Sequence, residues 1–366
     1  MSKIKKIKVN LAKKSYEIII GKRIISHFAK SLKRLNLGTT AAIISNKRIR
    51  KNIGSKIEAN LNKNSFLVKF FEIPDSEMAK SAKVALGLIK TIASFDVKRR
   101  IFIVALGGGV VGDLSGYVAA TYKRGIAYVQ VPTTFLSQID SSIGGKVGID
   151  LEIGKNLVGA FHQPRLVFSD ISFLSSLDLR QIRSGLAEAI KYAVIKDKNL
   201  FEFLENNYTK ILKFNLDVIE EIVFKCSKIK AKIVEEDEQE EKGIRTILNF
   251  GHTIGHAIEA AANYKFYTHG EAIGLGMICS SEIAYRLGIL ELSSCLRIKN
   301  LISRVGLPTQ IKNLKLSDIL SALTHDKKFI FGKNRFVLPN AIGKVKVYPD
   351  IPLKLISFVV KSRLSS

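Results

Sequence analysis

The fold is decided by the stretch Ile101-Phe-Ile-Val-Ala-Leu106, which runs directly into Gly107-Gly-Gly-Val-Val-Gly112. Six apolar residues in succession predict a buried strand of a parallel sheet, and the segment 114–122 after the glycines has helical spacing. Three of the glycines match G-x-G-x-x-G in the strand-to-helix setting where backbone N–H groups can approach a pyrophosphate. The stretch therefore predicts a nucleotide-binding turn.

An ordinary tight turn would account for the same glycines, and at least two predicted strands precede them, whereas a dinucleotide fingerprint usually follows the first strand. Further loops favour the nucleotide-binding interpretation; they read Val131-Pro-Thr-Thr134, Asp140-Ser-Ser-Ile-Gly-Gly-Lys146 and Gly154-Lys-Asn156. Lysine ammonium groups in such loops can meet phosphates, and open α/β folds bind ligands at the carboxyl ends of their strands. We expect a cofactor and an anionic substrate to share that crevice.

The two halves of the chain differ in apolar patterning. In the first half, predicted strands alternate with amphipathic segments; the strands are 41–45, 65–71, 101–106, 127–131 and 166–169, and the helical segments 75–95 and 114–122. After about residue 175 the spacing is mainly helical, over 179–196, 200–205, 216–234, 253–262 and 271–287, with a strand signal at 336–338. We predict an α/β, Rossmann-like N-terminal domain over residues 1–175 and a mainly α-helical C-terminal domain over residues 176–366.

A formal net charge of +26 raises the hypothesis of a nucleic-acid partner. Lysine and arginine are spread through every predicted element, however, and the sequence has no Trp and no nucleic-acid-binding signature with interleaved aromatic residues. We predict no nucleic-acid partner and a basic surface that attracts anionic small molecules. The acidic run 235–241 predicts a solvated turn or helix edge.

No apolar stretch approaches the ~20 residues of a membrane span, and the first residues lack the apolar core and cleavage site of a signal peptide. Cys226, Cys279 and Cys295 have no C-x-x-C spacing, which disfavours disulfides and thiolate metal sites. We predict a soluble, cytoplasmic protein with no membrane partner.

Half of the six histidines, His252, His256 and His269, lie within one window of 18 residues. A zinc-protease motif is excluded because Thr253, not Glu, follows the first of them. A catalytic zinc usually takes three N or O ligands and leaves one position open. We predict a metal site formed by two of these histidines and a carboxylate, for which Glu188 is a candidate since it interrupts an apolar helical segment.

Taken in order, the motifs of this chain resemble those of the 3-dehydroquinate synthase family from about residue 75 to residue 343. The resemblance rests on residues 107–125, 131–134, 140–146, 154–156, 185–191, 245–256 and 269–272. It implies a homodimer whose NAD-binding α/β domain and helical domain enclose a zinc ion in the cleft between them.

The resemblance also implies which residues form the site. The zinc ligands would be Glu188, His252 and His269, with Co²⁺ able to occupy the same ligands, and His256 would face the substrate or relay a proton. The NAD contacts would be Asp75, Glu77, Lys80, Gly108, Gly109, Val110, Val111, Gly112, Thr133, Thr134, Lys146, Lys155, Phe173, Leu174, Ser175 and Ser176. The catalytic and substrate contacts would be Arg124, Asp140, Lys146, Asn156, Lys191, Lys230, Arg245, Asn249 and His256, with Lys327 or Lys328 closing the site. Arg124 would reach the substrate phosphate across the dimer interface.

Two positions depart from the family pattern. Ser76 stands where the family usually has Gly, which matters only if the backbone there needs a positive φ. The acidic run between Lys230 and Arg245 is one residue longer than usual, which makes the role of Lys230 less secure.

The implied reaction converts 3-deoxy-D-arabino-heptulosonate 7-phosphate, a small anionic sugar phosphate, into 3-dehydroquinate and phosphate. It would proceed by transient oxidation with NAD, β-elimination of phosphate, re-reduction, ring opening and aldol closure. Two enzyme alternatives stay open: another sugar phosphate cyclase, and a metal-dependent polyol dehydrogenase.

Overall fold

A computed structural model describes residues 4–97, 100–324 and 334–365 of the chain. It contains two compact units: Met1–Leu177 with Ile219–Gln239, and Asp178–Val218 with Glu240–Ser366. The sequence predicted one boundary near residue 175. The structure differs in that residues 219–239 return to the first unit, where their side chains make contacts with the N-terminal part of the chain. Glu235, for example, accepts hydrogen bonds from the backbone and the side-chain amide of Asn10 at 2.6 and 2.8 Å.

The described residues form eleven strands. They are β1 (Lys5–Val9), β2 (Tyr16–Gly21), β3 (Thr40–Asn46), β4 (Leu67–Ile73), β5 (Ile101–Gly107), β6 (Tyr128–Pro132), β7 (Lys146–Leu151), β8 (Gly154–Phe161), β9 (Leu166–Asp170), β10 (Arg335–Ala341) and β11 (Lys344–Pro349).

The described helices are α1 (Phe28–Leu35), α2 (Lys47–Ile49), α3 (Ser55–Asn62), α4 (Ala82–Phe95), α5 (Gly109–Thr121), α6 (Leu179–Lys196), α7 (Lys198–Leu212), α8 (Leu216–Glu236), α9 (His252–Ala261), α10 (His269–Arg286), α11 (Leu292–Arg304), α12 (Leu316–Thr324) and α13 (Leu353–Lys361). None of them is both long and apolar enough to cross a membrane.

The first unit is built on a seven-stranded sheet in the order β1-β2-β9-β6-β5-β3-β4. Neighbouring strands of this sheet are parallel except for the antiparallel pair β1–β2. Successive residues of β3 alternate between two cores: Ile43 packs with Phe28 and Leu61 on one face, and Ile44 with Leu88 and Ile92 on the other. A strand covered on both faces must be apolar throughout, which explains the continuous apolar runs in the sequence.

Strand order places the glycine turn at the point where the sheet changes direction. From β3 the chain moves outward to β4, and it then returns to the other side of β3 to form β5, β6 and β9. Open α/β sheets bind ligands at such a switch point, beyond the carboxyl ends of the strands. The late position of the glycine motif in the sequence is therefore compatible with nucleotide binding, because β5 is central in space.

The second unit is mainly helical and carries the antiparallel hairpin β10–β11. Its helix α10 is buried along most of its length, from Gly270 to Ala284. Together with the parallel sheet of the first unit, this confirms the predicted fold class of an α/β domain followed by a mostly helical one.

Individual elements lie close to the predicted segments. Helix α6 has the predicted bounds, with Asp178 capping its start by accepting a hydrogen bond from the Gln181 N–H. The helix predicted over 75–95 begins later, at Ala82, because Pro74 and an irregular turn precede it and Ser81 caps it. The three cysteines form no disulfide.

Candidate active site

In the second unit, three helices bring together the side chains predicted as metal ligands. Glu188 lies in α6, while His252 and His269 are the first residues of α9 and α10. The Nε2 atoms of His252 and His269 lie 3.5 and 3.4 Å from Glu188 Oε1. Ligand atoms of these three residues all lie within 4.8 Å of one another, so they could bind one ion.

Close packing of two glycines fixes the start of α9. Gly251 adopts a φ of 78° as the residue before His252, and a Cβ on Gly276 of α10 would lie 1.9 Å from the Gly251 carbonyl oxygen. Only glycine fits such an approach of two backbones. Glycines near the histidines therefore serve to bring α9 against α10.

A capping box fixes the start of α10. The Thr268 hydroxyl accepts from the Glu271 N–H, and the Glu271 carboxylate accepts from the Thr268 N–H. Both Glu271 oxygens also accept hydrogen bonds from Arg180, at 2.8 and 2.7 Å. These contacts hold His269, the first residue of the helix, in place.

Each of the two histidines uses its other ring nitrogen for a second contact. His252 Nδ1 lies 3.1 Å from the Phe250 carbonyl oxygen. His269 Nδ1 lies 3.3 and 3.4 Å from the two oxygens of Glu259. These oxygens accept a hydrogen bond from Nδ1–H, which leaves Nε2 directed at Glu188, the arrangement that metal binding through Nε2 requires.

The electrostatics of the cluster suit a cation. Burial, together with nearby Lys191, His256 and His269, holds the pKa of His252 well below its usual range, so its imidazole is neutral. Desolvation alone would lower the pKa of His269, but the carboxylates of Glu188 and Glu259, 3.4 and 3.3 Å from its ring nitrogens, outweigh it and raise that pKa to about 10. A metal ion at this position would displace the proton from Nε2 of His269.

The fit of a metal ion rests on the state of Glu188. Its side chain is fully buried, and neither carboxylate oxygen makes a hydrogen bond of good geometry to any described residue. Lys191, itself buried, forms its ion pair from the next turn of the same helix. A buried carboxylate is costly unless its charge is compensated, and one carboxylate with two imidazoles is a donor set that zinc and cobalt accept.

A second possible ligand group lies alongside the first. It consists of His256, Glu259 and His269, and here the carboxylate is Glu259. His256 is exposed and lies one turn after His252 on α9. The structure therefore brings all three clustered histidines together, with Glu188 facing only His252 and His269 among them.

The remaining predicted residues of the second unit lie close to this cluster along the chain. Arg245 and Asn249 belong to the 3-10 helix Ile244–Asn249, which leads into α9. Arg245 is buried and its Nε lies 3.3 Å from Glu240, while Asn249 is half-buried. Lys327 and Lys328 lie outside the described residues.

In the first unit, the glycine turn meets the loop that follows β6. Thr133 N–H donates to the Gly107 carbonyl at 2.9 Å. A Cβ on Gly108 would lie 3.0 Å from Thr134 Cγ2, and one on Gly109 would lie 3.2 Å from Ser141 Oγ. Val110, Val111 and Gly112 continue into the first turns of α5, whose N-terminus carries the positive end of the helix dipole.

Five of the predicted NAD contacts lie just beyond β4 (Asp75, Glu77 and Lys80) or in the β7–β8 hairpin (Lys146 and Lys155). Asp75 accepts hydrogen bonds from Asn46 Nδ2 at 2.6 Å and from Arg48 Nε at 3.0 Å. Glu77 pairs with Lys155 at 3.3 Å. Ser76 has a φ of −160°, an extended conformation, so the family's glycine is not needed for backbone freedom at this position.

Lys80, predicted to contact NAD, is buried at the centre of a polar network. Its Nζ donates to Asp113 at 2.9 Å and also to Asn156, and it lies 3.7 Å from Asp150. Burial lowers the pKa of Lys80, but the neighbouring carboxylates of Asp113 and Asp150 outweigh it and raise that pKa. Lys80 is therefore charged, and it connects a predicted cofactor residue to Asn156, a predicted substrate residue.

The segment predicted at 173–176 forms the end of the 3-10 helix Ile171–Ser176. Phe173 and Leu174 are buried, Phe173 within the core of the sheet, whereas Ser175 and Ser176 are exposed. Of these four residues, only the two serines can contact a bound nucleotide through their side chains.

Asp140 and Lys230, both predicted substrate contacts, form an ion pair within the first unit. Lys230 also donates to the Asp140 carbonyl at 2.7 Å and belongs to the returning part of α8. Lys146 is exposed at the start of β7, and Arg124 is exposed after α5 with a φ of 63°. The longer acidic run does not displace Lys230 from Asp140.

Three candidate residues escaped the sequence prediction. Glu259 lies seven residues after His252, a spacing that places both on one face of a helix. Asp113 directly follows the glycine motif, and Asn46 is the last residue of β3. Helical spacing in the first case, and position near the carboxyl end of a strand in the other two, were the available signals.

Two family models match adjacent parts of the chain, which together span residues 70–329. The model described as 3-dehydroquinate synthase N-terminal covers residues 70–184, and the one described as 3-dehydroquinate synthase C-terminal covers residues 185–329. A 3-dehydroquinate synthase of Desulforamulus reducens is 42% identical over 346 residues, which is 94% of this chain and 96% of the relative.

Solved structures of similar proteins cover almost the whole chain. A 2-deoxy-scyllo-inosose synthase in complex with carbaglucose-6-phosphate, NAD⁺ and Co²⁺ gives a TM-score of 0.90 at 28% identity, covering 98% of this chain and all of that protein. A 2-epi-5-epi-valiolone synthase from Streptomyces hygroscopicus, with NAD⁺ and Zn²⁺ bound, gives 0.87 at 26% identity, with 96% and 98% covered.

Proposed function

The chain belongs to the 3-dehydroquinate synthase family, and we propose that it converts 3-deoxy-D-arabino-heptulosonate 7-phosphate into 3-dehydroquinate and phosphate in the shikimate pathway. The observation that carries this proposal is the buried Glu188 carboxylate facing two imidazole nitrogens. The glycine turn at the switch point of the sheet adds a place for NAD. The reaction releases phosphate without net oxidation or reduction, so the enzyme is a carbon-oxygen lyase.

NAD and a divalent metal, zinc or cobalt, are the proposed cofactors, as in the solved structures of the two similar cyclases. When bound, NAD would supply a temporary oxidant and the metal a Lewis acid for substrate hydroxyls. Glu188, His252 and His269 hold the metal in this proposal. The neutral imidazole of His252 provides a ligand nitrogen that needs no deprotonation, and Glu188 provides a buried carboxylate.

The proposed cofactor residues lie at the edge of the sheet. Residues 108–112, at the start of α5, would hold the pyrophosphate through backbone N–H groups that are not used within the helix. Thr133 and Thr134 provide hydroxyls at the end of β6, and Lys155 with Glu77 lies beside the hairpin. Asp75, already held by Asn46 and Arg48, is placed to accept hydrogen bonds from ribose hydroxyls.

The proposed substrate residues divide by charge. Lys191, Asn249 and His256 hold reactive hydroxyls and move protons near the metal ligands, and His256 is the exposed member that can exchange a proton with water. Lys146, Lys230, Arg245 and Arg124 bind the carboxylate and phosphate by charge-assisted hydrogen bonds. Asp140 orients Lys230, and Asn156 contacts Lys80, which is a proposed cofactor residue.

A homodimer is part of the proposal, with Arg124 of each protomer serving the other protomer's substrate phosphate. Its surroundings support a role at an anion: Arg124 lines a cavity of about 300 Å³ with Lys14, His162 and Arg165. We place the enzyme in the cytoplasm, since none of its cysteines forms a disulfide. Sedimentation equilibrium of the purified protein tests the dimer directly.

Another sugar phosphate cyclase is the nearest alternative, and a polyol dehydrogenase the next. The resemblance to the family implies that cyclases with other substrates differ at the positions that face the carboxylate and phosphate. The set Lys155, Asn156, Lys230, Arg245, Asn249 and His256 is complete in this chain and favours the heptulosonate phosphate. A polyol dehydrogenase would accumulate NADH.

The test is one incubation of the purified protein with the heptulosonate phosphate, NAD and zinc. We expect phosphate and 3-dehydroquinate to form in equal amounts. NADH, followed by its absorbance at about 340 nm, should not accumulate. If the protein converted only another sugar phosphate, that compound would replace the heptulosonate phosphate as the proposed substrate. Steady NADH formation from a simple alcohol would replace the reaction class.

A further inference from the structure

We propose that Glu259 is a positioning residue for the metal centre, acting through His269. This proposal rests on the proposed function only in that Glu188, His252 and His269 bind the metal. Both Glu259 oxygens lie within hydrogen-bond reach of His269 Nδ1, at 3.4 and 3.3 Å. Glu259 therefore accepts a hydrogen bond from Nδ1–H and directs Nε2 of His269 toward the position facing Glu188.

The fold holds Glu259 in position for its contact with His269. Glu259 is 9% exposed and lies on α9, two turns beyond His252. Residues seven apart share a helix face, so one helix provides a ligand at its start and a support for the other histidine further along. The close packing of Gly251 against Gly276 sets the distance between α9 and α10, on which the contact depends.

The two histidines are supported differently. His252 Nδ1 faces the Phe250 carbonyl oxygen, a backbone group without charge. His269 Nδ1 faces a carboxylate, which orients the ring and also makes it a stronger electron donor to a metal. His269 is also the more exposed ligand, 33% against 11% for His252, and so depends more on an added contact to keep its orientation.

A rival role is that of a direct ligand. Glu259 could bind an ion with His256 and His269, since these three could also hold a metal. His269 would then use Nδ1 and turn its other nitrogen to Glu188. Removal of a ligand should abolish zinc binding, whereas removal of a positioning carboxylate should weaken it. The experiment distinguishes these two outcomes.

The experiment measures zinc affinity of the full-length apoprotein by competition with a chromophoric chelator, for wild type, Glu259→Ala, Glu259→Gln and His269→Ala. Loss of a partner that orients a metal-binding histidine typically weakens metal affinity by about 10–100-fold. We expect Glu259→Ala to bind one zinc with an affinity reduced by that factor. Glu259→Gln keeps an acceptor oxygen and should lose less, whereas His269→Ala should retain no zinc.

Glu205→Gln is the matched control, because Glu205 is also a partly buried helical carboxylate, paired with Arg297 in the same unit. Its zinc affinity should equal that of the wild type. The Co²⁺ absorption spectrum adds a second readout: its bands should keep their positions in Glu259→Ala if the three ligands are unchanged. NAD binding should be unchanged in all Glu259 variants.

Unchanged zinc affinity in Glu259→Ala overturns the proposal, and so does complete loss of zinc, which would make Glu259 a ligand. Equal losses in Glu259→Ala and Glu259→Gln overturn the role of an accepting oxygen. Failure of the metal centre itself gives another pattern, in which His269→Ala binds zinc as well as wild type does. Circular dichroism and the unfolding midpoint confirm that each variant is folded.

Discussion

The edge of the sheet in the first unit and the histidine cluster in the second are two candidate binding sites built by different means. At the sheet edge the main chain provides the contacts, and glycines keep it accessible between Gly107 and Gly112. In the cluster, side chains provide the contacts, and glycines act indirectly by letting α9 and α10 approach. Substitutions that add atoms should disrupt a site formed by the backbone, whereas substitutions that remove atoms should disrupt a site formed by side chains.

The two regions also differ in how their buried charges are compensated. Lys80 at the sheet edge already has carboxylate and amide partners in Asp113, Asp150 and Asn156. Glu188 in the cluster has its ion pair with Lys191, and its oxygens have no well-formed hydrogen bond among the described residues. The sheet edge can therefore exist without its ligand at little cost, while the histidine cluster gains electrostatic stability when a cation arrives.

The largest effect is expected for His269→Ala, which removes a side chain from the cluster. The variant should retain no zinc through gel filtration and should lose activity by on the order of 10³-fold or more, because metal polarisation of the substrate is worth several kcal/mol. NAD affinity should stay at the wild-type value. Atomic absorption measures the zinc content of the histidine cluster, and fluorescence titration separately measures NAD binding at the sheet edge.

His27→Ala is the control, since His27 is exposed and lies in the first unit. It should keep both zinc and activity. A fully active His269→Ala variant would remove His269 from the metal centre.

An intermediate effect is expected for Gly109→Ala, which adds one carbon at the sheet edge. The new Cβ would lie 3.2 Å from Ser141 Oγ, tight but tolerable for the fold, and would project where a nucleotide phosphate must approach. An added methyl in a packed site costs about 1–3 kcal/mol, or roughly 5–150-fold in the dissociation constant of NAD. Zinc content should not change.

Gly87→Ala provides a matched control, because a Cβ at Gly87 on α4 meets nothing within 4 Å. This variant should bind NAD normally and gain about 0.5–1 kcal/mol in stability from reduced backbone freedom. If Gly109→Ala bound NAD as tightly as the control, the glycine turn would not be the cofactor site.

The smallest effect is expected for Glu271→Gln, at the cap of α10. Burial alone would raise the pKa of Glu271, but hydrogen bonds from Arg180 and Thr268 outweigh it and lower that pKa. The charged form is thus favoured by folding. Its contribution is complete above the ordinary carboxylate pKa of about 4.3 and disappears as the pH falls through the lower folded-state value.

The substitution should cost about 1 kcal/mol at pH 7 and less at pH 3, measured by urea unfolding. Glu202→Gln, whose exposed ion pair with Lys198 spans 3.7 Å, should have almost no effect at either pH. A larger loss at pH 3 than at pH 7 would contradict the assigned pKa direction.

Local patterns were sufficient to predict much of the fold. Strand β5 and its glycine turn, and helix α6 with its cap at Asp178, depend on neighbours in sequence. The return of residues 219–239 to the first unit depends instead on partners far along the chain. Ser227, for example, donates to the carbonyl of Gln138, and Glu235 accepts from Asn10. No local pattern encodes such contacts.

The candidate site divides in the same way. The crowding of histidines predicted a metal site, but the residues alone left open which two of the three would serve. The structure brings His252 and His269 to Glu188 because glycine packing sets the spacing of α9 and α10. Glu259 escaped prediction since its contact with His269 depends on that spacing.

The central claim, that the metal is held by Glu188 with His252 and His269, is tested most directly by diffraction data at the zinc absorption edge from crystals grown with zinc. We predict one anomalous peak per chain, about 2.0–2.2 Å from Nε2 of both histidines and from a Glu188 oxygen. A peak between His256, Glu259 and His269, or no peak near Glu188, would contradict the claim.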